Sequence, residues 1–176
     1  MAERVTTHTA VCDDAADACT ACGGTVGPRL SWNVPREMRL QERVKRFSMT
    51  RQAVSTENAP QAIGPYSQAI VANGFVFCSG TAGIDPATGI APDDIDEQTE
   101  LALRNLAAVL SAAGASLETL VKTTVFYANV DDFASINAIY ARFMPDPPPA
   151  RSAPANVALP RNLLISIDAI AVLPVG

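Results

Sequence analysis

Residues 51–176 contain no histidine, since the only one in the chain is His8. That absence removes the imidazole general base, the Ser-His and Cys-His nucleophile pairs and histidine metal ligation from this region. Cysteine is equally scarce there. Cys78 stands alone, so no internal disulfide can form, which suits a reducing cytoplasm. Basic charge is in short supply as well. From Arg51 onward six Lys and Arg face twelve Asp and Glu, a net of −6 (6 − 12), against −5 for the whole chain. Nucleic-acid binders work mainly by neutralising phosphates, and this region lacks the basic footprint for that. No apolar run reaches the ~20 residues of a membrane span. The composition over 176 residues, 48% hydrophobic and 18% charged, suffices for one globular domain plus an extension.

The two parts differ in character. Residues 1–50 hold Cys12, Cys19, Cys22, His8, the sole tryptophan Trp32 and a mixed-charge stretch from Arg36 to Arg46. Leu40, Val44 and Phe47 have helical spacing, but the stripe is too short to hold a helix alone. Cys19-Thr20-Ala21-Cys22 lacks the second, properly spaced pair that a zinc site needs. The segment reads as a disordered or mis-assigned extension, with Met49 as the expected start of the domain. Asp13, Asp14 and Asp17 argue against an organelle transit peptide.

From residue 51 the pattern is regular. A short strand is expected at Gln52–Ser55. Strands at Gln68–Ala72 and Phe75–Ser79 flank Asn73-Gly74, whose residues tolerate the positive φ of a two-residue hairpin. Asp85-Pro86-Ala87-Thr88-Gly89 is a turn-rich loop. A helix is predicted from Ile95 to Ala113, capped by Asp93 or Asp94, with Leu101, Leu103, Leu106, Val109 and Leu110 inward and Gly114 at its end. Thr119–Ala128 alternates and is β-branched, hence a strand. A second helix, capped by Asp131 and ending at Phe143, should bury Phe133, Ile136, Ile139 and Tyr140. Strands at Ser152–Val157 and Leu163–Val172 complete the order β-β-β-α-β-α-β-β. That order implies an α+β fold, a mostly antiparallel sheet with two helices on one face.

The chemistry concentrates at a few positions. Arg151 follows the rigid run Pro147-Pro148-Pro149-Ala150 and opens a segment with little other polar chemistry. A guanidinium clamps a carboxylate through two parallel hydrogen bonds, a geometry lysine does not reproduce. Asp168 is the one carboxylate in the apolar run Leu163–Val172, where it costs free energy unless it has a task. Ile63-Gly64-Pro65-Tyr66-Ser67 is a stiff turn presenting a phenol. Gly80 offers a backbone N–H with no Cβ in the way. Asn137, between Ile136 and Ile139, suggests a hydrogen-bonding role. Cys78, in an apolar strand, reads as an inert core thiol.

Ile63-Gly64-Pro65-Tyr66-Ser67-Gln68, Cys78-Ser79-Gly80, Asp85-Pro86-Ala87-Thr88-Gly89, Val121-Lys122-Thr123-Thr124-Val125-Phe126, Pro149-Ala150-Arg151-Ser152 and Ile167-Asp168-Ala169-Ile170-Ala171 occur in one order. Together they resemble the Rid family (YjgF-type, reactive intermediate imine deaminases), collinearly from about Thr56 to Val172. The resemblance implies a chorismate-mutase-like fold, assembled as a barrel-like homotrimer. It also implies hydrolysis of small 2-imino or enamine acids, such as 2-iminopropanoate and 2-iminobutanoate, to 2-keto acids and ammonia, without cofactor or metal. On this basis Arg151, Asp168 and Tyr66 are the expected catalytic residues, and Ser79, Gly80, Asn137 and Ala153 the expected substrate-binding ones. Arg151 would hold the substrate carboxylate, with Tyr66 of another subunit opposite. Relatives commonly carry glutamate at the Asp168 position, ascribed to placing the water. Aspartate shortens that reach by about 1.5 Å. Ala153 stands where many relatives have cysteine, whose role is ascribed to its backbone carbonyl. Two alternatives accompany this reading: a non-catalytic binding or sensor module for a small carboxylate, and an endoribonuclease or translation inhibitor. No membrane or nucleic-acid partner is expected.

Overall fold

The computed structural model describes residues 51–174. The readings of the first fifty residues, including the Cys12/Cys19/Cys22 group, lie outside the described residues. Six strands form one sheet: β1 (Arg51–Val54), β2 (Ala69–Ala72), β3 (Phe75–Ala82), β4 (Leu120–Tyr127), β5 (Ala150–Ser152) and β6 (Ile165–Val172). Their spatial order is β1-β2-β3-β6-β4-β5. Every neighbouring pair is antiparallel except β4–β5 at the edge, so the sheet is mixed. Two helices, α1 (Ile95–Ala112) and α2 (Phe133–Phe143), complete the α+β order.

Local chemistry accounts for most of these elements. Asn73 and Gly74 adopt φ of 51° and 79°, and the hairpin closes with Ala72 opposite Phe75. Asp94 caps α1, its carboxylate accepting from Asp96 N at 2.9 Å and Glu97 N at 3.0 Å, while Asp96 and Glu97 complement the helix dipole. The α1 stripe buries Leu103, Leu106, Val109 and Leu110 completely or nearly so; Leu101 is only half-buried. Truncating any of the fully buried leucines to alanine should cost about 2–5 kcal/mol.

Four expectations need correction. Asp131 does not cap the second helix. Residues Val130–Asp132 form a single 3-10 turn, in which the Asn129 side chain accepts from Asp131 N, and α2 begins only at Phe133. Phe133 consequently points outward and is 45% exposed rather than buried. The strand expected at Ser152–Val157 is instead the three-residue β5, paired in parallel with Lys122–Thr124. Pro154 has no N–H to continue a ladder, and Asn156 turns left-handed at φ 58°. The chain there stays beside β4 through two isolated bonds, Tyr127 N to Pro154 O and Val157 N to Tyr127 O. The last strand begins at Ile165, because Arg161 and Asn162 both take positive φ in the preceding 3-10 turn.

The helices cover one face of the sheet. Ile165, Ile167, Ala169 and Ala171 of β6 are buried beneath them, so alternation turns Ser166, Asp168 and Ile170 to the other face. That other face carries Phe75 (41% exposed), Phe77 (44%) and Val172, with Phe126 and Ile170 half-buried beside them. Within the described chain nothing packs over it.

Candidate functional site

Arg151 sits on β5, opposite Thr123 of the neighbouring strand. Thr123 is fully buried on the helix side, where its hydroxyl shares a 2.6 Å hydrogen bond with the Tyr140 phenol of α2. The guanidinium therefore leans over α2. Its carbon lies 4.8 Å from the Tyr140 ring centroid and 5.9 Å from that of Phe133. One terminal nitrogen donates to Asn137 Oδ1 at 2.8 Å. Two aromatic faces and one amide thus fix the plane of the guanidinium. The other four of its five N–H groups have no protein acceptor among the described residues. The ion pairs there, Arg104–Glu100 and Arg142–Glu100, do not involve it. Burial pushes the Tyr140 phenol above its ordinary range, while the Thr123 hydrogen bond and the Arg151 charge pull the other way.

A second group lies elsewhere. A cavity of about 380 Å³ opens between the 59–66 segment, the end of β3 and the 159–166 segment, and is lined by Tyr66, Ser79, Gly80, Arg161 and Ser166 among others. Long-range side-chain bonds build its walls. The Gln68 amide accepts from Thr56 N at 2.6 Å and donates to Pro60 O at 2.8 Å, pinning the 56–60 loop. Asn105 of α1 donates to Ala82 O and Ile84 O, and Gln98 accepts from Leu164 N. Such buried amides are satisfied by backbone rather than by one another. Tyr66 is half-exposed at the rim, its phenol oxygen accepting from Ile63 N at 3.3 Å. Arg161 donates to Gly89 O at 3.0 Å, holding the 85–89 turn against the cavity.

A β-bulge shapes the floor. Cys78 pairs with Ala169 and Thr81 with Ile167, so Ser79 and Gly80 together oppose Asp168 alone. At Gly80 a Cβ would fall 2.8 Å from Ser166 Oγ, closer than real contacts allow.

The structure brings Tyr66, Ser79 and Gly80 together in the cavity, and Arg151 and Asn137 together above α2. Ala153 follows two residues after Arg151, half-buried against the core. Asp168 joins neither group. It is half-buried on the open face opposite Thr124, outside the cavity, whereas Arg151 projects from the helix side. The two groups also lie apart within one chain: β3 and β5 are three interstrand spacings from each other, roughly 14 Å. Sequence reasoning missed Ser166, Arg161 and the Phe133–Tyr140 platform. Strand alternation places Ser166 on the same face as Asp168, so that signal was present.

Comparisons with known proteins agree with this architecture. Residues 56–173 match the family model described as endoribonuclease L-PSP. The chain is 47% identical over 131 residues to Reactive Intermediate Deaminase A, chloroplastic, of Arabidopsis thaliana, covering 74% of this chain and 70% of that protein. It is 43% identical over 126 residues to the Mus musculus 2-iminobutanoate/2-iminopropanoate deaminase, covering 71% and 93%. The crystal structure of E. coli TdcF with bound serine superposes with a TM-score of 0.66 at 38% identity, covering 70% of this chain and 99% of that one.

Proposed function

Because the chain belongs to the endoribonuclease L-PSP (YjgF/Rid) family, whose relatives include proteins named as deaminases, we propose that it hydrolyses small 2-imino and enamine acids to 2-keto acids and ammonia. The observation that carries this reading is Arg151. Its guanidinium is held flat by Asn137, Tyr140 and Phe133 and keeps four donors for a ligand. A planar cation of that kind suits the carboxylate of a 2-imino acid, each charge-assisted bond contributing about 1.5–3 kcal/mol. Serine bound to TdcF, a small amino acid with the same carboxylate, supports a ligand of this size.

In this proposal the site forms between copies. The open sheet face, with Phe75 and Phe77 about two-fifths exposed, is covered by neighbouring subunits in a barrel-like homotrimer. One subunit supplies Arg151, Asn137 and the Ala153 carbonyl, and the next supplies Tyr66, Ser79 and Gly80. Asp168 faces that subunit contact. The substrate carboxylate lies on Arg151 and its C=N carbon in the neighbour's cavity. Water oxygen bonds to C2 as the π pair moves to nitrogen, which takes a proton. The carbinolamine then loses ammonia as the C2 hydroxyl becomes the keto oxygen. An imine is already electrophilic, so positioning alone accelerates the step. No cofactor or metal enters the scheme. Cys78, the lone thiol among the described residues, suits a reducing compartment such as the cytoplasm.

The test is to generate 2-iminopropanoate in situ with an amino-acid oxidase and follow its loss against semicarbazide trapping. The protein should speed that loss and Arg151→Ala should abolish the gain. No acceleration by the wild type would refute the reading. Binding of pyruvate with no turnover would instead establish a small-carboxylate sensor, a reading favoured by the placement of Asp168 outside the cavity. The acidic balance of the domain gives no support to RNA as the ligand.

A further inference from the structure

Four hydroxyl-bearing side chains line the cavity near the bulge, and three of them already take part in a hydrogen bond. Ser79 donates to Ser67 O at 2.7 Å, Thr81 donates to Ser79 O at 3.1 Å, and the Tyr66 oxygen accepts from Ile63 N. The Ser166 hydroxyl has no hydrogen-bond partner among the described residues, and its Oγ lies directly against the position that a Gly80 side chain would fill. A Cβ at residue 80 would sit 2.8 Å from it and push it aside, so the bare backbone at the bulge leaves room for the hydroxyl where it stands. The bulge opposes two residues of β3 to one of β6, and bulges of this kind re-aim groups beside sites. Asp168, two residues further along the same strand face, is about 7 Å away along β6 and outside the cavity.

We propose that Ser166 is a catalytic residue of this site, a proton shuttle between the attacking water and the imine nitrogen; this rests on the imine-hydrolysis reading above. A hydroxyl is one donor and two acceptor lone pairs, so it can receive and give a proton in the same step. As the water oxygen bonds to C2, its proton passes to Ser166 Oγ. Ser166's own proton passes to the nitrogen that receives the π pair. The carbinolamine forms and Ser166 is regenerated, with no charge left on it. A hydroxyl with neither its proton nor its lone pairs engaged suits this role, whereas Ser79 and Thr81 would first have to break the bonds they donate.

The experiment compares wild type, Ser166→Ala and Ser166→Glu on 2-iminopropanoate, with pyruvate affinity measured by calorimetry on each. Asp85 and Arg161, the charged residues lining the cavity, are common to all three proteins. Ser166→Ala should lower kcat at least about tenfold, the modest side of what a positioned proton-transfer group supplies, with KM and pyruvate Kd within twofold. Ser166→Glu hangs a carboxylate base from the same position of β6, reaching further into the cavity, so kcat should recover above that of Ser166→Ala. It should then fall as pH drops below about 4–5, where a glutamate protonates. Wild-type kcat in Ser166→Ala would overturn the proposal while leaving imine hydrolysis intact. Equal losses of kcat and pyruvate affinity would also overturn it, because the serine would then be holding the cavity's shape. An inactive wild type would instead refute the hydrolysis reading itself.

Discussion

Replacing Arg151 by lysine keeps the charge and removes the fork, so it isolates geometry from electrostatics. The arginine spends one N–H on Asn137 Oδ1 and lies 4.8 Å over Tyr140, leaving paired donors for a carboxylate. Lysine is a point charge without a plane to stack, and it offers one good bond where the guanidinium offers two. One lost charge-assisted hydrogen bond is about 1.5–3 kcal/mol. At ~1.4 kcal/mol per factor of ten, kcat/KM should fall roughly 10- to 140-fold. Because the side chain is exposed, thermal stability should hardly move. The assay is semicarbazide competition on 2-iminopropanoate, with pyruvate affinity measured alongside. Asn137→Ala should produce a smaller loss, and combining it with Arg151→Lys should be less than additive, since the amide acts only by orienting the guanidinium. An Arg151→Lys enzyme within threefold of wild type would refute the clamp.

Burial pushes the Cys78 thiol from its ordinary 9.0 up to about 12, with the Asp168 charge as the lesser cause. A raised acid pKa means the folded state favours the neutral thiol, so this stabilisation is complete below pH 9 and disappears as pH rises toward 12. Urea unfolding at pH 8 and pH 10.5 should show wild type losing about 2 kcal/mol more than Cys78→Ala between the two pH values; equal losses would count against it. Thr123→Val strands the buried Tyr140 phenol and should cost about 1–3 kcal/mol in a denaturant midpoint measurement. Phe77→Glu places a charge in the open apolar face, so sedimentation should show monomers and the imine assay should show lost activity together.

The parts of the fold that could be read along the chain are those fixed by neighbouring residues. The Asp94 cap, the leucine stripe of α1 and the Asn73-Gly74 turn fall where local patterning puts them. β5 was not legible in this way, because its length is set by Pro154 and by the backbone of Asn156 rather than by hydrophobic alternation. The cavity walls depend on Gln68, Gln98 and Asn105 reaching backbone 8 to 66 residues away, which no periodicity reports. The site was half legible. Arg151 and Tyr66 announce themselves through their proline-stiffened surroundings, and Asn137 meets Arg151. Asp168 and Ser166 share a strand face and differ only in distance from the bulge, a three-dimensional detail invisible in a string of letters.

The bulge at Ser79 and Gly80 has a consequence for how this molecule can vary. Deleting one of the two would restore a regular ladder, with Thr81 still opposite Ile167 and Ala82 still opposite Ser166, and would remove only the extra backbone beside the cavity. Deleting both would instead put Thr81, now inward, opposite Asp168 on the open face and turn Ala82 inward. Strand length at this end of the sheet can therefore change by this one residue, and any larger change scrambles the interior. Wider diversity has to enter through the loops at 56–66 and 85–90, which border the same space but carry no alternation to preserve.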